Sequence, residues 1–474
     1  MTEPARAAKR LQRVETSLPP AEEIPSRRHE TMSIEAAMRR FLVPGCSVAI
    51  MEDGEIVAAR GYGVTGDDDT TPVTTSTIFQ ACSISKAVAG VGAMRLTQEG
   101  LLDLDEDVNR YLRSWQVPAN DGWQPRVTLR HLLTHTAGLT YCWFPGHQRG
   151  AATPTALQIV RGEPPANTPP VRVVGIPGTE FRYSGAHFAV LELVMEEVTG
   201  EHLPDLMHRL VFEPLDMRDS SYDQDFPETR TGGVALGHDA AGVLLTGGWH
   251  VQPEHAGAGL WTTPSDLCRL ALAIQAAWSG ATEEFMSKET AIGMLTPGPG
   301  DRGLGWHMNA AADWLWFEHG GDNVGYKCAL LADTARGRGA AIMTNGDAGW
   351  LVYAGIFSAI ASEFGWPEGF VSTDTLGFRA PELADDPPDP AALTTFAGEY
   401  RLDTGLRLRI TAAGNRLTLR AEGQAEMSML PISASTFLAE AANVAITFDR
   451  ASNGGVDSLR FRQFGAEIPG ERIT

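Results

Sequence analysis

Residues 81–86 read Ala81-Cys82-Ser83-Ile84-Ser85-Lys86, and they open a run that stays small or apolar on nearly every side until Arg95 and stops at Gly100. The spacing predicts a buried helix over 83–99 with Gly100 as its C-terminal cap. Ser83 and Lys86 stand three apart at its start and so share one face. A lysine is out of place there. Ala87, Val88, Ala89 and Val91 bring no counter-ion, and desolvation lowers an ammonium pKa, so a partly neutral Lys86 is able to take the proton of Ser83. The helix N-terminus also favours negative charge forming at the serine. The same six residues admit a plainer reading, in which Ser83 caps the helix and Lys86 reaches out to solvent, and this short spacing alone does not choose between the two.

Outward from this helix the pattern is mixed. Ile34 to Leu42 has the spacing of an amphipathic helix, and 45–51 with 55–62 reads as a hairpin turning at Asp53-Gly54. Helical spacing returns over 190–198 and 263–277, the latter capped by Thr263 or Ser265. From Trp314 to Met343, short apolar runs separated by Gly321, Gly325 and Arg336 to Gly339 read as consecutive antiparallel strands that complete the sheet. Between these blocks, residues 141–180 hold seven prolines and little periodicity, the mark of a lid or binding loop.

At the ends, residues 1–30 are polar, show no sustained amphipathic period and read as a mobile arm. Residues 380–390, with four prolines and three aspartates, read as a stiff acidic linker. This divides the chain into a main domain over 31–379 and a second one over 391–474. In the latter, Leu406, Leu408, Ile410, Leu417 and Leu419 alternate with polar residues, and turns recur at Ala413-Gly414-Asn415 and Asn453-Gly454-Gly455, as in a small antiparallel barrel.

Composition narrows the chemistry. With 38 Lys and Arg against 59 Asp and Glu, the 474-residue chain carries a net charge of -21, which opposes nucleic acid and anionic membranes as partners. No apolar run approaches the ~18 residues of a membrane span, and residues 1–17 lack a secretory signal, so a cytoplasmic location is expected. The five scattered cysteines suggest neither disulfides nor a thiolate metal site. Three rival motifs fail. Gly45-Cys46-Ser47-Val48-Ala49 lacks the last glycine of a nucleophile elbow; His131 and His135 have metal spacing but no glutamate at 132 and no third ligand; the glycine pairs 232–233 and 247–248 lack a phosphate-loop lysine. Cys82 is expected to pack beside Ser83, since no His-Asn arrangement supports it as a nucleophile. No cofactor and no metal are expected.

Six segments in order carry a resemblance. They are Pro44-Gly45-Cys46-Ser47-Val48-Ala49-Ile50, the Ser83 to Lys86 box, residues 129–139 (Leu-Arg-His-Leu-Leu-Thr-His-Thr-Ala-Gly-Leu), Phe181-Arg182-Tyr183-Ser184, Gly257-Ala258-Gly259-Leu260-Trp261 and His319-Gly320-Gly321. Over about residues 31–370 the chain resembles the serine beta-lactamase and penicillin-binding protein superfamily, in particular its class C-like and esterase branch. The resemblance implies an α+β fold, an antiparallel sheet flanked by helices plus an all-helical lobe, with the site in the cleft between them. The C-terminal barrel looks like the lipocalin-like appendage of some relatives.

By the same resemblance Ser83 is the nucleophile, Lys86 and Tyr183 move protons, and the backbone N–H groups of Ser83 and Asp322 form the oxyanion hole. His319 replaces the lysine of the family's Lys-Thr-Gly box with an electrostatic role, and Gly320 and Gly321 let an edge strand approach the substrate. The reading is a carboxylesterase working through an acyl-enzyme on a small-molecule ester or amide. Alternatives are a D-amino acid peptidase or amidase, a beta-lactamase, an acyltransferase to an amine or alcohol, and a catalytically inactive binding or sensor module; a homo-oligomer is compatible with all of them. The clearest departure is Gly185, where the family commonly has asparagine. Without that amide, esters are expected to be preferred over peptides and penicillins, and Gly185→Asn to improve amide acylation if the backbone there does not need positive φ.

Overall fold

The computed structural model describes residues 3–19, 31–66, 69–119, 123–179, 181–230, 233–311, 314–367 and 390–473, the last stretch apart from 404, 414–415, 423–425, 440–443, 451–454 and 464–465. The chain forms two compact units, one of residues 1–12, 43–238 and 244–349, the other of residues 13–42, 239–243 and 350–474.

The first unit is built on a seven-stranded antiparallel sheet in the order Asp69–Pro72, Glu55–Gly66, Gly45–Glu52, Gly339–Thr344, Tyr326–Asp333, Trp314–Asn323, His307–Ala311. The sheet that opens the chain is thus closed by the later strands, as the sequence pattern indicates. The first hairpin turns at Asp53 and Gly54, both at positive φ (50° and 85°), the geometry that lets a two-residue turn follow the strands' twist. The helix Pro264–Ser279 packs across the sheet, with the Thr263 hydroxyl accepting the Asp266 N–H as its cap. A helical lobe gathers Leu129–Leu133, Ala156–Arg161 and Leu203–Met207 around Ala186–Thr199. The helix Ile84–Gln98, buried at twelve of its fifteen residues, lies between the lobe and the sheet strands Trp314–Asn323 and Tyr326–Asp333.

Two sequence expectations are revised here. Residues 3–14 are helical, not a mobile arm; Leu11, Val14 and Leu18 are buried and Leu18 bridges Met32. Ala7, Ala8, Leu11 and Val14 recur at helical spacing, a short amphipathic stripe masked by the overall polarity of residues 1–30. Residues 20–30 and all of the proposed 380–390 linker except Pro390 lie outside the described residues. The 141–180 segment is more than a surface loop: it carries the helix Ala156–Arg161 and buries Cys142, Phe144, Ile159, Val160, Val171 and Val173.

In the second unit, eight strands from Gly398–Leu402 to Ala466–Arg472 pair with their neighbours in sequence, and the last returns to the first, closing an up-and-down barrel. Leu408 and Ile410, then Leu417 and Leu419, point inward as their alternation requires. Phe396 stacks on Phe448 inside, with ring centroids 4.6 Å apart, and Tyr400 donates its hydroxyl to the Phe396 carbonyl.

Candidate active site

Ser83 occupies the turn before the Ile84–Gln98 helix, yet its side chain makes no capping hydrogen bond, because its own backbone is already helical (φ -69°, ψ -10°). The preceding Cys82 stands at φ 51°, a conformation uncommon for a residue with a side chain. Neighbours hold this turn in place. The Ala81 N–H donates to the Leu260 carbonyl, and the Ser85 hydroxyl donates to the Cys82 carbonyl while accepting the Leu260 N–H. Among the described residues the Ser83 N–H donates to no group.

Lys86 is only 2% exposed, so it does not reach solvent. Its Nζ donates to Ser83 Oγ at 3.0 Å and to the Gly257 carbonyl at 2.5 Å. The plainer reading of the motif, a cap and a solvated lysine, therefore fails on both counts. Two aromatic rings also flank Nζ, with the Tyr183 ring centroid at 5.4 Å and the Phe144 centroid at 5.8 Å, both within cation–π range. The two residues before Gly257 are held by a buried carboxylate, since Glu192 accepts the Ala256 N–H at 2.9 Å and pairs with His255 at 2.8 Å, and the Gly257 N–H donates to the Glu254 carbonyl at 3.0 Å. Burial opposes a charge on His255, but the Glu192 carboxylate outweighs it and raises the imidazole pKa.

His319, Gly320, Gly321 and Asp322 lie on Trp314–Asn323. The neighbouring strand His307–Ala311 pairs only with Trp314 to Glu318, so this strand is interior in its first half and free along one side from His319 onward. It becomes an edge where it passes Ser83. A Cβ on Gly321 would fall 2.6 Å from the Ala81 carbonyl oxygen, 2.8 Å from Cys82 Cβ and 2.4 Å from Cys328 Sγ, so only glycine permits this approach to the nucleophile turn. Gly320 is different, with nothing closer than the Cys328 oxygen at 3.9 Å. Asp322 is fixed by Lys327, whose Nζ lies 2.8 Å from Oδ1 of both Asp322 and Asp347. Asn323 ties the strand end to Gln80 Oε1 and the Ala258 carbonyl.

His319 is buried, and desolvation, reinforced by the nearby Lys86 and Arg302 cations, lowers its pKa to about 3. Its Nδ1 lies 2.6 Å from the Gly320 carbonyl, which only accepts, so Nδ1 carries the proton and Nε2 is left bare. A neutral imidazole supplies hydrogen bonding and no positive charge, which revises the electrostatic role expected of it. The other motif histidines are structural. His131 completes a capping box with Thr128, and His135 is buried against Tyr183 (ring centroids 4.4 Å) and His187. Cys82, Cys142 and Cys328 are buried thiols, and desolvation lifts Cys142 to about 12. Among the described residues no group of three or more His, Cys, Asp or Glu is placed to hold a metal ion, and no helix is long and apolar enough to cross a membrane.

The geometry thus brings Ser83, Lys86, Tyr183, His319 and the Gly320-Gly321-Asp322 strand together. Sequence reading gave no role to the Gly257 carbonyl, Glu192 or Phe144. Gly257 lies in a segment already singled out, whereas Phe144 hides in the proline-rich stretch. Gly185 adjoins this ring. Its φ of -62° is open to any residue, but a Cβ there would fall 2.4 Å from Phe144 Cε2 and 2.9 Å from the Cys142 carbonyl oxygen. The backbone condition set for Gly185→Asn is met; the space is not.

Residues 384–472 match a domain of unknown function, DUF3471. The esterase EstB of Burkholderia gladioli is 27% identical over 353 residues, 68% of this chain and 83% of that protein. Against other curated relatives, 26% identical over 239 residues, the chain spans less than half (44%) of their length. Among solved structures, the octameric penicillin-binding protein homologue from Pyrococcus abyssi aligns over 92% of this chain and 98% of its own (21% identity, TM-score 0.60). The hydrolase EstCE1, described as having promiscuous acyltransferase activity, aligns over 75% of this chain and 99% of its own (22% identity, TM-score 0.58). Residues 9–353, well over half of the chain, match the Beta-lactamase family, and the chain belongs to that family.

Proposed function

We propose that the protein is a serine hydrolase that forms an acyl-enzyme on Ser83 and acts best on carboxylic esters. The observation that carries this reading is the buried Lys86 amino group, 3.0 Å from a Ser83 hydroxyl that has no capping duty. Ser83 Oγ attacks the acyl carbon while the Lys86 amine, in its neutral form, takes the Oγ proton, and the ammonium so formed passes it by way of Tyr183 to the departing alcohol. The free Ser83 N–H and the N–H of Asp322 stabilise the oxyanion, with Gly321 permitting the strand to come close enough. Gly320, with open space above it, and neutral His319 border the acyl group. Water then attacks the ester on Ser83, the proton path runs in reverse, and the acid is released.

Ester preference follows from what surrounds Lys86. The Tyr183 and Phe144 rings flank it, and position 185 offers no amide to orient a substrate amide. The test is kcat/KM for an aryl ester, a D-amino acid amide and a penicillin under one set of conditions. The ester is expected to lead. A faster amide or penicillin contradicts the ester reading, and no turnover of any of the three points to an inactive binding module.

A further inference from the structure

The ring of Phe144 sits between two glycines from distant parts of the chain. A Cβ on Gly185 would lie 2.4 Å from its Cε2 and 2.5 Å from its Cζ, and one on Gly257 would lie 2.4 Å from the same Cε2. Neither glycine is demanded by its own backbone at 185, where φ is -62°. The ring is 5% exposed and its centroid lies 5.8 Å from Lys86 Nζ. Its place is fixed by hydrogen bonds between the irregular segment that carries it and the start of the Ala186–Thr199 helix. The Gly185 N–H donates to the Cys142 carbonyl at 2.8 Å, the Cys142 N–H to Ser184 Oγ at 2.9 Å, and the Ser184 hydroxyl to the Thr140 carbonyl at 2.7 Å.

We infer that Phe144 is a specificity-determining wedge: it fills the corner beside Lys86 that a side chain at 185 would otherwise enter, and so keeps out of the site any group able to hydrogen-bond a substrate amide. The inference deepens the ester reading and rests on it. A hydrophobic ring next to the buried lysine leaves the N–H of an amide substrate desolvated and unpaired, whereas an ester has no N–H to satisfy. Ester preference is then the joint property of Gly185, Phe144 and Gly257, and changing one of them alone does not transfer it. Gly185→Asn by itself drives its side chain into the ring.

The experiment is a double-mutant cycle with wild type, Gly185→Asn, Phe144→Ala and the double variant. Each is assayed by thermal melting and by kcat/KM on an aryl ester and an anilide of the same acid. Gly185→Asn is expected to melt below wild type and to lose activity on both substrates. In the double variant the melting temperature is expected to recover above that of Gly185→Asn. Its anilide-to-ester ratio is expected to rise about 5- to 150-fold over that of Phe144→Ala, the range of one buried hydrogen bond. A double variant no more stable than Gly185→Asn, or one with the ratio of Phe144→Ala, overturns the wedge. The ester reading fails separately, if wild type turns over neither substrate or favours the anilide; the melting cycle still decides whether Phe144 excludes a side chain at 185.

Discussion

Gly321→Ala is the perturbation that most sharply separates a strand packed on the nucleophile turn from one merely near it. The added methyl would lie 2.6 Å from the Ala81 carbonyl oxygen and 2.8 Å from Cys82 Cβ. A relaxed carbon–oxygen contact is about 3.3–3.6 Å, so strand and turn must part by roughly 0.8 Å. Cys82 cannot absorb this easily, being fully buried and already at φ 51°. Displacements near 1 Å cost about 100-fold in rate, and overpacking costs about 1–3 kcal/mol in stability. Gly321→Ala is therefore expected to lower kcat for an aryl ester about 100-fold while lowering the melting temperature by a few degrees. Gly320→Ala is the control for folding, since its Cβ meets only the Cys328 oxygen at 3.9 Å, and its melting temperature is expected to stay at the wild-type value. Cys328→Ala removes the sulfur but not the Ala81 carbonyl, so adding it to Gly321→Ala is not expected to restore kcat. Wild-type kcat in Gly321→Ala would refute the reasoning.

Other outcomes follow from the same geometry. Lys86→Met keeps the buried volume but removes the donor to Ser83 Oγ, and is expected to reduce acylation by ~100-fold or more in single-turnover assays, with near-wild-type activity counting against its role. Tyr183→Phe is expected to depress turnover by ~100-fold while leaving some acylation, measured as a burst; no effect would mean that another group carries the proton. Burial lowers the pKa of His187 to about 4, so between ~6.5 and that value the unfolded chain takes up a proton that the folded chain refuses. The stability that neutral His187 contributes, ~3 kcal/mol, is thus complete above ~pH 7 and lost from ~6.5 towards ~4; buried Glu254, raised to about 7, acts in the opposite sense, so the melting profile is compared between wild type and His187→Asn. His187→Asn is expected to soften that drop; an unchanged acid profile would contradict the assignment.

The Ser83–Lys86 pair, the antiparallel strands of the sheet and the barrel are legible in the sequence because they are local or periodic. Ser83 and Lys86 share a helix face by spacing, the Pro264–Ser279 helix carries its own cap, and the barrel strands alternate at period two. Two features are not legible, each for a physical reason. Phe144 acts through contact with Gly185 and Gly257, residues that spacing does not bring together. The neutrality of His319 comes from burial and from the cations Lys86 and Arg302, which composition does not place beside it. The Glu3–Val14 helix is the exception: Ala7, Ala8, Leu11 and Val14 do stand at helical spacing, but one short stripe is outweighed by the charged residues around it.

The central claim is that Ser83 carries the acyl group. Trapping the protein with a slowly deacylating activated ester, followed by intact-mass measurement and peptide mapping, tests it most directly. One acyl adduct per chain is expected, on the peptide containing Ser83, and none in Ser83→Ala. An adduct on Cys82 or Tyr183, or undiminished labelling of Ser83→Ala, would contradict it.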